Sequence, residues 1–410
     1  MKIDQSVINT LNKRNVINII REQGPINKAV ISRLVGLSIP TVMRLTDEMI
    51  SKKLVREVGR GESTGGKPPL MLEFTPDSYY LIGVDIGTTN IKTIVMDMSA
   101  NILFKVNTPT IVSEEPCNVI NRIINTITQA IDTTGFPLSK YLGIGLGMPG
   151  LLDANSGKVL FSPDFEWEDV DLIGPVRARF GFPVYMTNVT RAMATGEKWF
   201  GLAKNIKNFM CINLGYGIGS AIVIDDEIYT GGSDSSGEFG HMTLEKNGPQ
   251  CSCGNYGCLE ALASANAMSK KAAFLIERGE ASLMLSLADG STTNINAKVI
   301  FDAAKMDDSL AKEIVREATE YIGIAIANAV NFIDPELIIL EGGVAKAGDI
   351  LIDGIKRVVE RRQMKYAGRK LKIIASKLED DAAAIGAASI LIRELIENGG
   401  NAEKLGFEAG

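Results

Sequence analysis

Apolar positions recur on two different periods along this chain, and the change of period divides it. Within residues 4–24, Val7, Leu11, Val16, Ile17 and Ile20 fall at roughly helical spacing, which predicts a helix ended by Gly24-Pro25. Asn27 is placed to cap a short second helix, KAVISRLVG, and Gly36 supplies the turn after it. Ser38 can cap a third helix over residues 39–52, with Pro40 in its first turn, where a missing N–H costs little. This helix turns Val42, Leu45, Met49 and Ile50 inward and leaves Thr41, Arg44 and Asp47 on another face. The period then becomes two. LVREVGR and PLMLEF flank the turn-rich GESTGGK, which predicts a β-hairpin. Further on, YYLIGVDIGTTNIKTIVMDMSANIL (79–103) is a strand, a glycine turn and a strand, and NFMCINLGYGIGSAIVIDDEIYTGG (208–232) repeats the plan. The duplication predicts two related lobes, each built on a mixed sheet.

Two short helices joined by a glycine turn and followed by a hairpin fit a winged helix-turn-helix. Asn27, Lys28, Ser38, Thr41 and Arg44 are its candidate DNA contacts, with Arg60 and Lys67 on the wing near phosphates or the minor groove. The alternative is a helical hairpin that packs on another protein. Charge bears on the choice. Residues 1–69 hold twelve Lys and Arg against six Asp and Glu, so this segment carries +6 and the remainder −12 of a net −6. A basic segment on an acidic body points to a polyanionic partner for that segment only.

The 410 residues call for two or three domains, and 45% hydrophobic with 22% charged residues is ordinary for a globular chain. No run of apolar residues long enough for a membrane span or a secretory leader is present, so a cytoplasmic protein without a membrane partner is expected. Five cysteines, three of them clustered, argue against a disulfide framework and for a metal or redox site. His241, Cys251, Cys253 and Cys258 form H-x9-C-x-C-x4-C, and His241 is the single histidine of the chain. One imidazole and three thiolates make a closed tetrahedral zinc set with no open position, so the predicted zinc is structural. Cys117 and Cys211 read as buried small apolar residues. In the glycine turns, backbone N–H groups can cradle phosphate oxygens, and Asp85 could hold magnesium among them.

DIGTTNIK (85–92), GIGLGMPGLLD (143–153), GYGIGSAIV (215–223), the cysteine segment 237–264 and DPELIILEGGV (334–344) together resemble the ROK family of repressors and sugar kinases. The cysteine segment looks most like the xylose-repressor branch. The resemblance covers nearly the whole chain, because family repressors also carry an amino-terminal winged helix. It implies an α/β fold: a winged helix-turn-helix over 1–77, then a two-lobed actin/hexokinase-like (ribonuclease H-like) body. The first lobe spans 78–200 and is completed by a helix at 382–396; the second spans 201–381 with the zinc knuckle; 397–410 is expected to be a loose tail.

The resemblance also assigns roles. Glu238 and His241 of the E-x-G-H motif, Glu260, Gly150 and Asn188 would meet sugar hydroxyls. Asp164 stands where sugar-contacting relatives commonly have Asn. Kinase members place a general-base aspartate directly after that asparagine; here the residue is Val189, which cannot accept a proton. Gly87, Thr88, Gly215, Gly217, Gly342 and Gly343 then mark vestigial nucleotide turns, with Tyr216 and Glu341 expected to obstruct or repel phosphates. The function implied is a sugar-responsive repressor of carbohydrate-metabolism genes, not an enzyme, acting as a homodimer or homotetramer on operator DNA. Xylose is the first expected effector, then glucose or an N-acetylhexosamine. The alternative is an ATP-dependent sugar kinase with an attached DNA-binding domain.

Overall fold

The computed structural model describes residues 4–62 and 68–406. Its amino-terminal part contains helices Gln5–Gln23, Lys28–Val35 and Ile39–Ser51, and the hairpin Val55–Arg60 with Leu70–Phe74. Each helix begins on a side-chain cap: Asp4 accepts from Ser6 N, Asn27 from Val30 N at 3.0 Å, and Ser38 from Thr41 N. Gly36, in the left-handed region, turns the second helix into the third, and the two are bent by 114°. Val16, Ile17, Ile20, Ile31, Val42, Leu45 and Met49 fill the core between them. Ile50 is only half-buried, and Val7 and Leu11 of the expected stripe are 49% and 43% exposed. The stripe therefore buries only its second half within one chain.

Two five-stranded sheets follow. The first holds Tyr80–Ile86, Asn90–Asp97, Ile102–Pro109, Tyr141–Met148 and Val184–Asn188. The second holds Phe209–Leu214, Ile218–Ile224, Glu227–Tyr229, Leu337–Glu341 and Lys372–Ala375. In each, the first strand is central. It pairs antiparallel with the second, the second antiparallel with the third, and on its other side the first runs parallel to the fourth and the fourth to the fifth. The repeated glycine-turn hairpins are thus the first two strands of two lobes of equal topology.

Helix Ala382–Glu397 closes the first lobe. It is buried along almost its whole length because the facing residues are small. A Cβ on Gly145 would stand 2.0 Å from the Ala387 carbonyl oxygen, so only glycine permits the contact. The far half of this helix belongs to the same apolar cluster as the amino-terminal domain: Leu391, Ile392, Leu395 and Ile396 meet Val16, Ile17, Ile20 and Leu54. Residues 402–405 form a 3-10 turn, Leu405 is buried in that cluster, and Gly400 lies against Leu54 and Ile17. The expectation of a loose tail from 397 is corrected through residue 406: an apolar anchor ties this segment down. Cys117 is exposed, contrary to expectation, and Cys211 is buried. Among the described residues no single helix is long and apolar enough to cross a membrane.

Candidate functional site

The turn after strand Tyr141–Met148 brings Gly150 to the cleft with φ +113°, a conformation other residues rarely adopt. A side chain there would also strike the Phe161 carbonyl oxygen, which lies 2.4 Å from the Cβ position. The parallel neighbour, Val184–Asn188, ends on Asn188, which caps helix Val189–Trp199 by accepting from Thr190 N at 2.9 Å. Its Nδ2 donates to the Gly150 carbonyl at 3.1 Å, so the two expected sugar contacts hold each other in place. Across the cleft, the second lobe supplies Gly219, Ser220, Ser236, Gly237 and Glu238. Gly150, Asn188 and Glu238 line one cavity between the lobes, together with Thr190 and Arg191. Val189 opens the helix between Asn188 and Thr190, and its own side chain is not part of the lining.

Glu238 joins this cavity to the histidine and cysteine cluster: its Oε2 lies 3.7 Å from His241 Nε2. The other ring nitrogen, Nδ1, lies 3.6 Å from Cys251 Sγ, and Cys253 Sγ lies 3.8 Å from Cys258 Sγ. All four ligand atoms fall within 4.8 Å of one another, which makes the group a candidate metal site. Ligands at zinc bond lengths on a tetrahedron stand about 3.4–3.8 Å apart, so the donor set and its spacing fit that ion. Glu260 reaches the same place from helix Leu259–Ala263. Its Oε2 accepts from Ile218 N at 2.9 Å and its Oε1 from Ser252 Oγ at 3.3 Å. It thereby ties the knuckle to the Gly215–Gly217 turn. Asp164 faces this group. Burial first, then the Glu260 charge, raise its carboxyl above the usual range, and His241 opposes the shift.

The glycine turns that the family resemblance assigns to a nucleotide are arranged differently. Asp85 ends the first strand and Gly87 closes the turn with Asn90, which leaves Thr88 between them. Burial, with Asp380 and Asp381 nearby, pushes the Asp85 carboxyl up to about 6 against the opposing effect of Lys92. Lys92 pairs with Asp381 at 3.3 Å and Lys346 with Asp380 at 2.5 Å. Gly215 closes the second turn on Gly217, and Tyr216 at its apex is 49% exposed. Gly342 packs on Asn213 and Leu214, and Gly343 is open. Glu341 differs from expectation: it is 2% exposed, and neither carboxyl oxygen has a hydrogen-bond partner. Burial first, then Glu197, holds its carboxyl well above the usual range. It points into the core beside Cys211, so it cannot repel a nucleotide by projecting charge into the cleft.

On the amino-terminal domain, Thr41 is half-buried and Arg44 exposed on helix Ile39–Ser51, with Arg44 Nη2 donating to Asn9 at 3.0 Å. Ser38 and Asn27 are occupied as helix caps, and Lys28 is paired with Asp47 at 2.8 Å. Arg60 is exposed at the end of its strand, while Lys67 lies outside the described residues. The pattern reading missed Ile39 and Met43, 50% and 46% exposed on the presented face, where apolar contact with a thymine methyl is available. It also missed Arg191 and Asp234, which line the cavity from opposite lobes.

The model of the ROK family matches residues 81–394, and a winged helix-turn-helix DNA-binding model matches 10–56. A putative xylose repressor of Caldicellulosiruptor sp. is 32% identical, covering 96% of this chain and 98% of its own. A glucokinase of Thermotoga maritima is 36% identical over 76% of this chain and 96% of its own. Among solved structures, a ROK family transcriptional regulator described as a homolog of the Escherichia coli Mlc protein superposes with a TM-score of 0.84 at 27% identity. It covers 98% of this chain and 100% of its own.

Proposed function

The chain belongs to the ROK family, and from that premise we propose that it is a DNA-binding transcription repressor of carbohydrate-metabolism genes, governed by a monosaccharide held between its lobes. One observation carries the reading. Helix Val189–Trp199 begins beside the cavity, at Asn188, with a residue that cannot act as a base, and ends on the DNA-binding domain, where the Arg21 guanidinium lies 4.2 Å from the centre of the Trp199 ring. Eleven residues at 1.5 Å each make a rod of about 16 Å between the two sites. The buried seam with Ala382–Glu397 and the anchored segment up to Leu405 mount the reading head firmly on the first lobe. Closure of the second lobe on a sugar is then transmitted to the spacing of two heads in a homodimer or homotetramer. Half-sites are read about 34 Å apart or at multiples of that distance, so a shift of a few ångströms releases one of them.

Glu238 accepts from sugar hydroxyls, and Asn188 and Gly150 shape the opposite wall. His241, Cys251, Cys253 and Cys258 hold a structural zinc, which fixes the His241 ring so that Nε2 presents a donor toward the ligand. Xylose is the first effector to test, because relatives named xylose repressors match 96% of this chain; glucose and N-acetylhexosamines follow. The chain acts in the cytoplasm on operator DNA.

The 36% identity to a glucokinase favours a second reading, an ATP-dependent sugar kinase with an attached regulatory domain. Val189 argues against it, since a positioned base contributes about 100- to 10,000-fold to such transfers. A thermal-shift panel of monosaccharides on the purified protein, run beside a coupled ATP-turnover assay, tests both. Stabilisation by a neutral sugar without turnover supports the repressor; sugar-dependent turnover at ordinary kinase rates contradicts it.

A further inference from the structure

The cavity is spanned by two lining residues 43 positions apart. Arg191 lies in the first turn of helix Val189–Trp199, in the first lobe. Asp234 lies in the second-lobe segment that leads to Glu238. Arg191 Nη1 donates to Asp234 Oδ1 at 2.8 Å, and Nη2 donates to the Asp234 carbonyl oxygen at 2.8 Å. One guanidinium thus grips both the side chain and the backbone of a single residue. Exposed ion pairs generally contribute little. This one joins an arginine side chain only 13% exposed to an aspartate 53% exposed, with two-point geometry and both members lining the cavity with Asn188 and Glu238.

An arginine beside a sugar site is by itself a receptor for an anionic substituent, because its planar fork matches phosphate and carboxylate. Here Asp234 occupies two of the five N–H donors. A phosphorylated sugar would have to break the pair and then meet the displaced carboxylate. The neutral hydroxyls of an unmodified sugar meet neither cost.

We propose that Arg191 and Asp234 are specificity-determining residues of this pocket, which span it so that it selects an uncharged monosaccharide over its phosphorylated form. Asp234 sets the charge of the ligand and Arg191 sets how far it can extend. The inference rests on the sugar-binding reading above, and the experiment separates the two.

Calorimetry on the full chain, with xylose, glucose and glucose 6-phosphate as probes, is run on wild type, Asp234→Ser, Arg191→Ala and the double variant. The wild type is expected to bind a neutral sugar and to bind glucose 6-phosphate about tenfold more weakly or worse, the scale of a like-charge encounter screened by the exposure of Asp234. In Asp234→Ser the freed guanidinium should improve glucose 6-phosphate affinity relative to the neutral sugar by about tenfold or more. In the double variant that gain should vanish. Arg191→Ala alone should tolerate larger neutral sugars while still refusing the phosphate. A merely structural pair would weaken all probes equally, and an unchanged ratio in Asp234→Ser overturns the proposal while leaving the sugar reading intact. Preference of the wild type for glucose 6-phosphate also overturns it. Binding of none of the probes, nor of N-acetylglucosamine, removes the sugar reading and this inference with it.

Discussion

The two sides of the interlobe cleft have diverged within one chain. On the side proposed to take the sugar, Gly150, Asn188 and Glu238 line one cavity, Asn188 holds the Gly150 turn, and His241 and Glu260 stand behind Glu238 at the cysteine cluster. On the nucleotide side the glycine turns persist, but the charges that could serve a polyphosphate are turned on each other. Lys92, Lys105 and Lys346 are paired with Asp381 and Asp380, and Asp85 is half-buried with its carboxyl raised. The difference teaches that recognition and chemistry are separable in this fold. Val189 offers no proton acceptor at the start of its helix, while Asn188 beside it still holds the Gly150 turn.

That contrast can be broken most severely at the metal cluster. Cys253→Ser should lose the metal together with sugar binding, and should lower the melting temperature of the body; metal analysis and calorimetry read both. Folded wild type that binds no zinc would remove the assignment. Next comes Glu238→Gln, which keeps shape and removes charge. Sugar affinity should fall about 10- to 100-fold, since hydrogen bonds to charged acceptors contribute about 1.5–3 kcal/mol, while DNA binding by the sugar-free form stays unchanged.

The nucleotide side makes its own prediction through Asp85. Its carboxyl is raised from 3.8 to about 6 in the folded chain, so the folded state holds the proton more tightly than the unfolded one. The stability this contributes is full below about pH 4 and is lost as pH rises through 6. Asp85→Asn should therefore be more stable than wild type at pH 7, by at most about 3 kcal/mol, with the gap closing below pH 4. Urea melts at the two pH values check this, and an equal gap at both would contradict the raised carboxyl of Asp85. A smaller effect is expected at the reading head. Arg44→Ala should cost about 1–3 kcal/mol of DNA affinity in a sequence-dependent way if it reads a base, whereas a uniform loss assigns it to phosphate. The smallest expected effect is none: Val189→Asp should not restore phosphoryl transfer, because the paired lysines and the Tyr216 apex remain.

What the chain revealed before its structure was local. The candidate metal cluster was legible because three of its members lie within eight residues and the fourth ten residues before them. The two lobes were legible because strand, glycine turn and strand recur. Relations between distant segments were not. Arg191 and Asp234 carry no shared signal, and only the folding of one lobe onto the other brings them together. Leu405 looked like part of a polar tail, yet it enters the core of the DNA-binding domain. Glu341 looked like a charge beside a nucleotide because its neighbours are glycines. Strand register instead places it in the interior, paired across the sheet with Asn213.

On the proposed reading, one sugar pocket controls one DNA-binding head without catalysis. Fluorescence anisotropy on duplexes selected by the full-length protein from a random pool, titrated with xylose, glucose and N-acetylglucosamine, tests it most directly. One of these sugars is expected to change DNA affinity in the wild type, and Glu238→Gln to bind the same DNA without responding. DNA affinity indifferent to every sugar that the protein binds, or a Glu238→Gln protein that still responds fully, would contradict it.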